Sequence, residues 1–188
     1  MFFPTSWRRF SRWEGSTIET GIFFNRFTYV AADLHARFGL SFSAVGLVVG
    51  AYGVGCLLYA GSVQRLVGTL GERGLALGGG IVVMIGFLTL AGQPFWQTAP
   101  LACGLLGFGY YMVHNTLQTN ATQMLPEQRG TAVAGFSSAL FLGQSAGIAL
   151  AAPIVDRAGA VPVFLLVALL WPALALWLWI RLGRRGEI

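Results

Sequence analysis

Few residues in this chain could carry chemistry. Among its 188 residues there are 2 histidines and 2 cysteines, and only 10% are charged. The densest polar group lies on one stretch: Tyr111 and Asn115 are a helical turn apart, as are His114 and Gln118, and Asn115 shares a face with Gln118. Gln144 with Ser145, and Asn25 with Arg26, form two smaller groups. A phenol, an imidazole and carboxamides can hold a small molecule by hydrogen bonds. His114 is also the only titratable group in that stretch suited to carrying a proton. Each group interrupts an otherwise apolar run, where polar side chains face either a cavity or a neighbouring helix. Substrate contact and interhelical hydrogen bonding are therefore the two roles open to Tyr111, His114, Asn115, Gln118 and Gln144.

Reactive chemistry finds less support. The serines of GFSSA, 135–139, together with His114-Asn115, invite comparison with intramembrane serine proteases. A serine nucleophile needs a general base within hydrogen-bond reach, and no histidine follows His114 to supply one. The glycine-rich ALGGG, 76–80, lacks the lysine and hydroxyl of a phosphate loop and reads as helix-packing material. Cys56 and Cys103 have neither disulfide nor metal-ligand spacing and read as small apolar residues. The expectation is a non-enzymatic protein with no metal and no cofactor.

The elements that position these residues follow from hydropathy. Apolar residues make up 55% of the chain, more than a soluble domain of this size could bury. Uncharged runs recur at 41–64, 74–126, 130–155 and 158–180, against the roughly 20 residues needed to cross a bilayer core. The second run breaks at Gln93-Pro94-Phe95-Trp96-Gln97, giving helices 75–92 and 98–116. Lipid offers the backbone no hydrogen-bond partners, so runs of this kind must be helical. That makes five crossings. A sixth, 17–32, contains Asn25 and Arg26, and an arginine at the bilayer centre costs about 2.5 to 3.5 kcal/mol, so whether it spans stays open. Residues 1–16 combine Phe2, Phe3, Trp7, Phe10 and Trp13 with Arg8, Arg9 and Arg12, a basic aromatic segment that is either disordered or laid on a lipid surface. The fold class is an all-α integral membrane protein of five to six transmembrane helices, a bundle over 17–188 with a short tail at 181–188.

Arginine placement sets the orientation, because the chain has no lysine. With six crossings, Arg8, Arg9, Arg12, Arg65, Arg73, Arg129, Arg181, Arg184 and Arg185 share one side, and Arg37 and Arg157 fall on the other. The positive-inside rule makes the first side cytoplasmic, with both termini on it. The net charge of +5 thus serves topology and anionic lipid, and a nucleic-acid partner is not expected. Arginine without lysine, with abundant glycine and alanine, suggests a bacterial origin and an inner-membrane location.

Two stretches carry a resemblance. VQRLVGTLGERG, 63–74, preceded by Gly61 and containing Arg65, Gly71, Glu72 and Arg73, resembles the cytoplasmic loop signature of the major facilitator superfamily. There the resemblance implies a glycine for close helix approach, a charge relay in which Glu72 supplies the negative partner, and a glycine that turns the chain. Gln64 stands at the family's aspartate position. NATQMLPEQRGTAVAGFSSALFLGQSAG, 120–147, resembles the connection into the last helix pair of bacterial drug- and sugar-efflux members. Together they imply a half-bundle of the major facilitator fold, the C-terminal six-helix half of a small-molecule transporter. A truncated, non-transporting remnant of such a transporter is the alternative.

A small-residue stripe on the fifth crossing bears on the missing half. Gly135, Ala139, Gly143, Gly147 and Ala151 recur every fourth residue, and Ser43, Gly46, Gly50 and Gly53 do something similar on an earlier helix. Such stripes let helices approach closely. The resemblance implies that they face a second bundle, either a homodimer partner or a separately encoded N-terminal half. Packing within the bundle is the other reading.

Overall fold

The computed structural model describes residues 27–123 and 128–183 of the protein, without the side chains of Ala121 and Arg181. The basic segment 1–16, Asn25 and Arg26 of the first crossing, Pro126 and Glu127, and the tail from Arg184 lie outside the described residues.

Every regular element described is helical. The first, α1, covers 27–38. It ends at Gly39, whose φ of 64° is a left-handed helix stop and whose N–H donates to His35 O at 3.0 Å. Ser41 then caps the next helix, its side chain accepting from Ala44 N at 3.3 Å. This second helix, α2, runs Phe42–Gly92 and is broken at Gly71, where φ 63° and ψ 177° reverse the chain. Glycine alone meets that conformation without a Cβ penalty. The two arms, 42–70 and 72–92, are separate helical segments. After Gln93 a 3-10 turn, Trp96–Thr98, leads into α3, Ala99–Gln123. The last two helices are α4, Arg129–Ala158, and α5, Val161–Gly183.

Among the described residues, three helices are long and apolar enough to cross a membrane: Phe42–Gly92, whose 51 residues supply both arms, Arg129–Ala158, and Val161–Ile180. The helix expected at 98–116 is present as α3, with 25 residues, but it is not one of these three. Its polar side chains, among them His114, Asn115 and Gln118, lower its hydropathy. The break expected between 92 and 98 is where the sequence places it. The stretch 63–74 is corrected: it is helix on both sides of Gly71, and the whole change of direction is concentrated in that residue. No proline interrupts it, so helix continues to the turn on both sides.

The core is built by the second arm of α2 between α3 and α5. Phe87, Leu106, Tyr110, Phe164 and Trp171 are buried there. Backbone proximity makes the packing possible. A Cβ on Gly55 would collide with Gly104 O, one on Gly107 with Tyr52 O, and one on Gly80 with Ala175 Cβ. In lipid, where apolar surface gains little by leaving solvent, such close contact is what holds helices together. The glycines of 76–80 therefore serve packing, with Gly79 and Gly80 both buried.

Candidate functional site

The polar face of α3 meets the first arm of α2 about two thirds of the way along both. Asn115 Nδ2 donates to the Tyr59 hydroxyl at 3.1 Å, joining positions 56 residues apart in sequence. Tyr59 is only 3% exposed and packs with Leu75 and Met112. One turn before Asn115, the Tyr111 ring lies 6.4 Å from that of Tyr59 and 6.0 Å from that of His114. Tyr111 itself is 39% exposed, so one face of this aromatic group stays open.

His114 turns the other way. Its Nδ1 is 3.1 Å from the Tyr110 hydroxyl and its ring stacks on Tyr110 at 5.1 Å. With the phenol donating, Nδ1 accepts and Nε2 carries the ring proton. Phe136 of α4 approaches His114 at 5.5 Å and closes that side. Tyr111, His114 and Asn115 thus come together, joined by Tyr59, Tyr110 and Phe136. Gln118 lies half-buried one turn beyond His114 on the same helix. Gln144 is half-buried on α4, two turns past Phe136, and makes no described contact with the group. Neighbouring Ser145 bonds back to Phe141 O at 3.0 Å, satisfied within its own helix.

The residues around Gly71 form a second constellation at one end of the bundle. Glu72 accepts from Asn120 Nδ2 at 3.1 Å, which ties the turn to the end of α3. Arg73 donates from Nε to Trp179 O at 3.2 Å and lies over the Trp179 ring at 4.3 Å, which ties it to the end of α5. Among the described residues, Glu72 meets an amide, and Arg73 an aromatic ring with a carbonyl. Arg65 is exposed, and Gly61 has open space where a Cβ would be.

At the opposite end, Arg37 donates to Asp33 Oδ2 at 3.1 Å, to Leu90 O at 3.4 Å and to Gln93 O at 3.1 Å. It clamps α1 to the end of α2. Asp33 lies beyond the apolar stretch 17–32, and burial pushes its carboxyl above the ordinary 3.8, with Arg37 opposing the shift. Arg37 entered the sequence reading only as an arginine of the less basic side, and Asp33 lies four residues before it. Their i, i+4 spacing was the available signal, whereas the carbonyls of Leu90 and Gln93 left none.

The stripe on α4 divides. Gly143, Gly147 and Ala151 are buried within the chain, and Tyr29 of α1 reaches the same region through a 3.4 Å bond to Ile148 O. For these three residues, the reading as a surface awaiting a second bundle gives way to packing inside this one. Gly135 and Ala139 are half-buried. By contrast Ser43, Gly46, Gly50 and Gly53 on α2 are exposed, and nothing lies within 4 Å of a Cβ built on any of those glycines.

Comparison with known proteins agrees with this architecture. No curated protein and no solved structure gives a significant match. The sequence profile of the Major Facilitator Superfamily matches residues 17–187, nearly the whole chain. A helical bundle whose apolar helices are long enough to cross a membrane, with a polar cluster between two of them, matches that assignment: the chain belongs to the Major Facilitator Superfamily.

Proposed function

We propose that this chain is one six-helix lobe of a carrier that moves small molecules, drug-like or sugar-like, out of the cell across a bacterial inner membrane. In this reading Tyr111, His114, Asn115 and Gln118 contact the substrate, with Gln144 of α4 as a further contact. Two lobes rock about a site near the bilayer midplane. The observation that carries the reading is the Asn115–Tyr59 pair beneath an exposed Tyr111. Polar groups cost several kcal/mol when stranded in hydrocarbon, about 2 to 7 each, so an apolar core would be the simpler solution if packing were the only demand.

The open face of Ser43, Gly46, Gly50 and Gly53 supports a second lobe, either another copy or a separately encoded half. Both termini and the Gly71 turn are cytoplasmic in this arrangement. Export of a panel of small organic compounds from cells expressing the chain tests the proposal. The expected result is export that Asn115→Leu abolishes while membrane insertion persists. Stable insertion with no export across the panel would make the chain a non-transporting remnant.

A further inference from the structure

The chemistry around Asn115 narrows the substrate class, an inference that rests on the carrier reading above. The buried wall of the site is Tyr59, 3% exposed and edge-on to Phe108 at 6.0 Å and 86°, whereas Phe136 packs on His114 to the other side. Tyr111, 6.4 Å from the Tyr59 ring, is 39% exposed. Asn115 gives one N–H of its amide to Tyr59, and its carbonyl is left to accept. The Tyr111 hydroxyl and the Gln118 amide make no hydrogen bond among the described residues.

Charge decides the rest. None of the seven carboxylates of the chain falls within 42–64, 75–116 or 130–155, and no arginine does either. A cation drawn to the rings would be desolvated without a counter-charge, a larger cost than ring attraction returns. An anion would meet no guanidinium on these three stretches. A sugar needs hydrogen bonds around its whole rim, and three spare groups beside aromatic walls do not supply them.

We propose that Tyr111, Asn115 and Gln118 bind an uncharged, planar aromatic molecule bearing a hydrogen-bonding substituent. The ligand ring lies against Tyr111, and its substituent meets the Asn115 carbonyl or the Gln118 amide. Offset ring stacking supplies affinity, and the amides supply orientation.

The test is equilibrium binding to the purified full chain in lipid nanodiscs, with radiolabelled 2-naphthol as the neutral aromatic probe and with ethidium and glucose as the cationic and polyol probes. Saturable 2-naphthol binding is expected, weakened about ten-fold by Tyr111→Leu and less by Tyr111→Phe, which keeps the ring. Asn115→Leu should weaken it similarly. Because that variant strands the buried Tyr59 hydroxyl, Tyr111→Leu on the exposed face guards against a folding failure. Leu150→Ala, at a position 73% exposed on α4, should bind as the parent chain does. Saturable binding of ethidium or glucose in place of 2-naphthol, or 2-naphthol binding indifferent to Tyr111, overturns the aromatic assignment and leaves the carrier reading standing. If no probe binds and cells expressing the chain export nothing, both fall.

Discussion

Arg37 shows how one side chain can outweigh the ion pair it belongs to. Its guanidinium serves a carboxylate and two backbone carbonyls at once, and the carbonyls belong to a helix end that would otherwise leave them unsatisfied. Asp33 contributes less, because burial raises its pKa and ionisation therefore works against the fold. The sign follows from linkage. A carboxyl with a raised folded pKa favours the folded state most while protonated, and that contribution is lost as the pH rises from 3.8 through the higher folded value. Asp33→Asn is accordingly expected to match or exceed the parent in stability at neutral pH and to flatten the acid side of the stability profile. Arg37→Ala should cost about 1 to 3 kcal/mol, since it orphans two carbonyls and leaves Asp33 buried alone. Thermal unfolding followed by a thiol-reactive fluorophore measures both, because Cys103 is wholly buried until the bundle opens. A Cys56→Ala background removes the partly exposed thiol. Equal losses from the two substitutions would show that the salt bridge, and not the carbonyl clamp, holds this end.

At the scale of helices, glycine has two uses that sequence alone does not separate. Gly107 lets α3 lie against the Tyr52 carbonyl, whereas Gly50 on α2 touches nothing. Gly107→Val should destabilise the bundle by about 1 to 3 kcal/mol, because a rigid backbone carbonyl cannot yield to the new side chain. Gly50→Leu should leave the unfolding temperature unchanged and yet abolish export, since its bulk would hold a second lobe away. Paired measurements of thermal unfolding and export separate the two effects, and normal export by Gly50→Leu would remove the α2 face from the lobe interface. The repeat of small residues on α2 and on α4 was legible in the sequence. Which repeat the chain covers was not, because periodicity identifies a face without saying what lies opposite it.

For the molecule as a whole, charged side chains bonded to an amide, to backbone carbonyls and to a ring mark the two ends of the bundle. Glu72 with Asn120, and Arg73 with Trp179, gather at one end, and Arg37 with Gln93 at the other. In the proposed topology the first end, the richer in arginine, faces the cytoplasm. In a chain with Cys56 and Cys103 replaced by alanine, Arg65→Cys should resist a membrane-impermeant maleimide in intact cells and react after permeabilisation. A cysteine replacing exposed His35 should react from outside. The reverse pattern would invert the topology and place the proposed termini on the outer side.

The apolar runs and the break after Gly92 were determined by sequence alone, because each follows from a local need, backbone hydrogen bonds satisfied inside a helix in lipid; a turning glycine in 63–74 was implied only by the resemblance, and the structure shows it to be Gly71, at φ 63°. The polar face of α3 was equally legible, since 3.6-residue spacing puts Tyr111, Asn115 and Gln118 on one side. Tertiary structure alone decided that Tyr59 is the partner of Asn115, that Glu72 meets an amide, and that Gly143 is covered while Gly50 is open. Those facts depend on which helices lie side by side, and helix packing depends on surface shape summed over many residues, which no local pattern encodes.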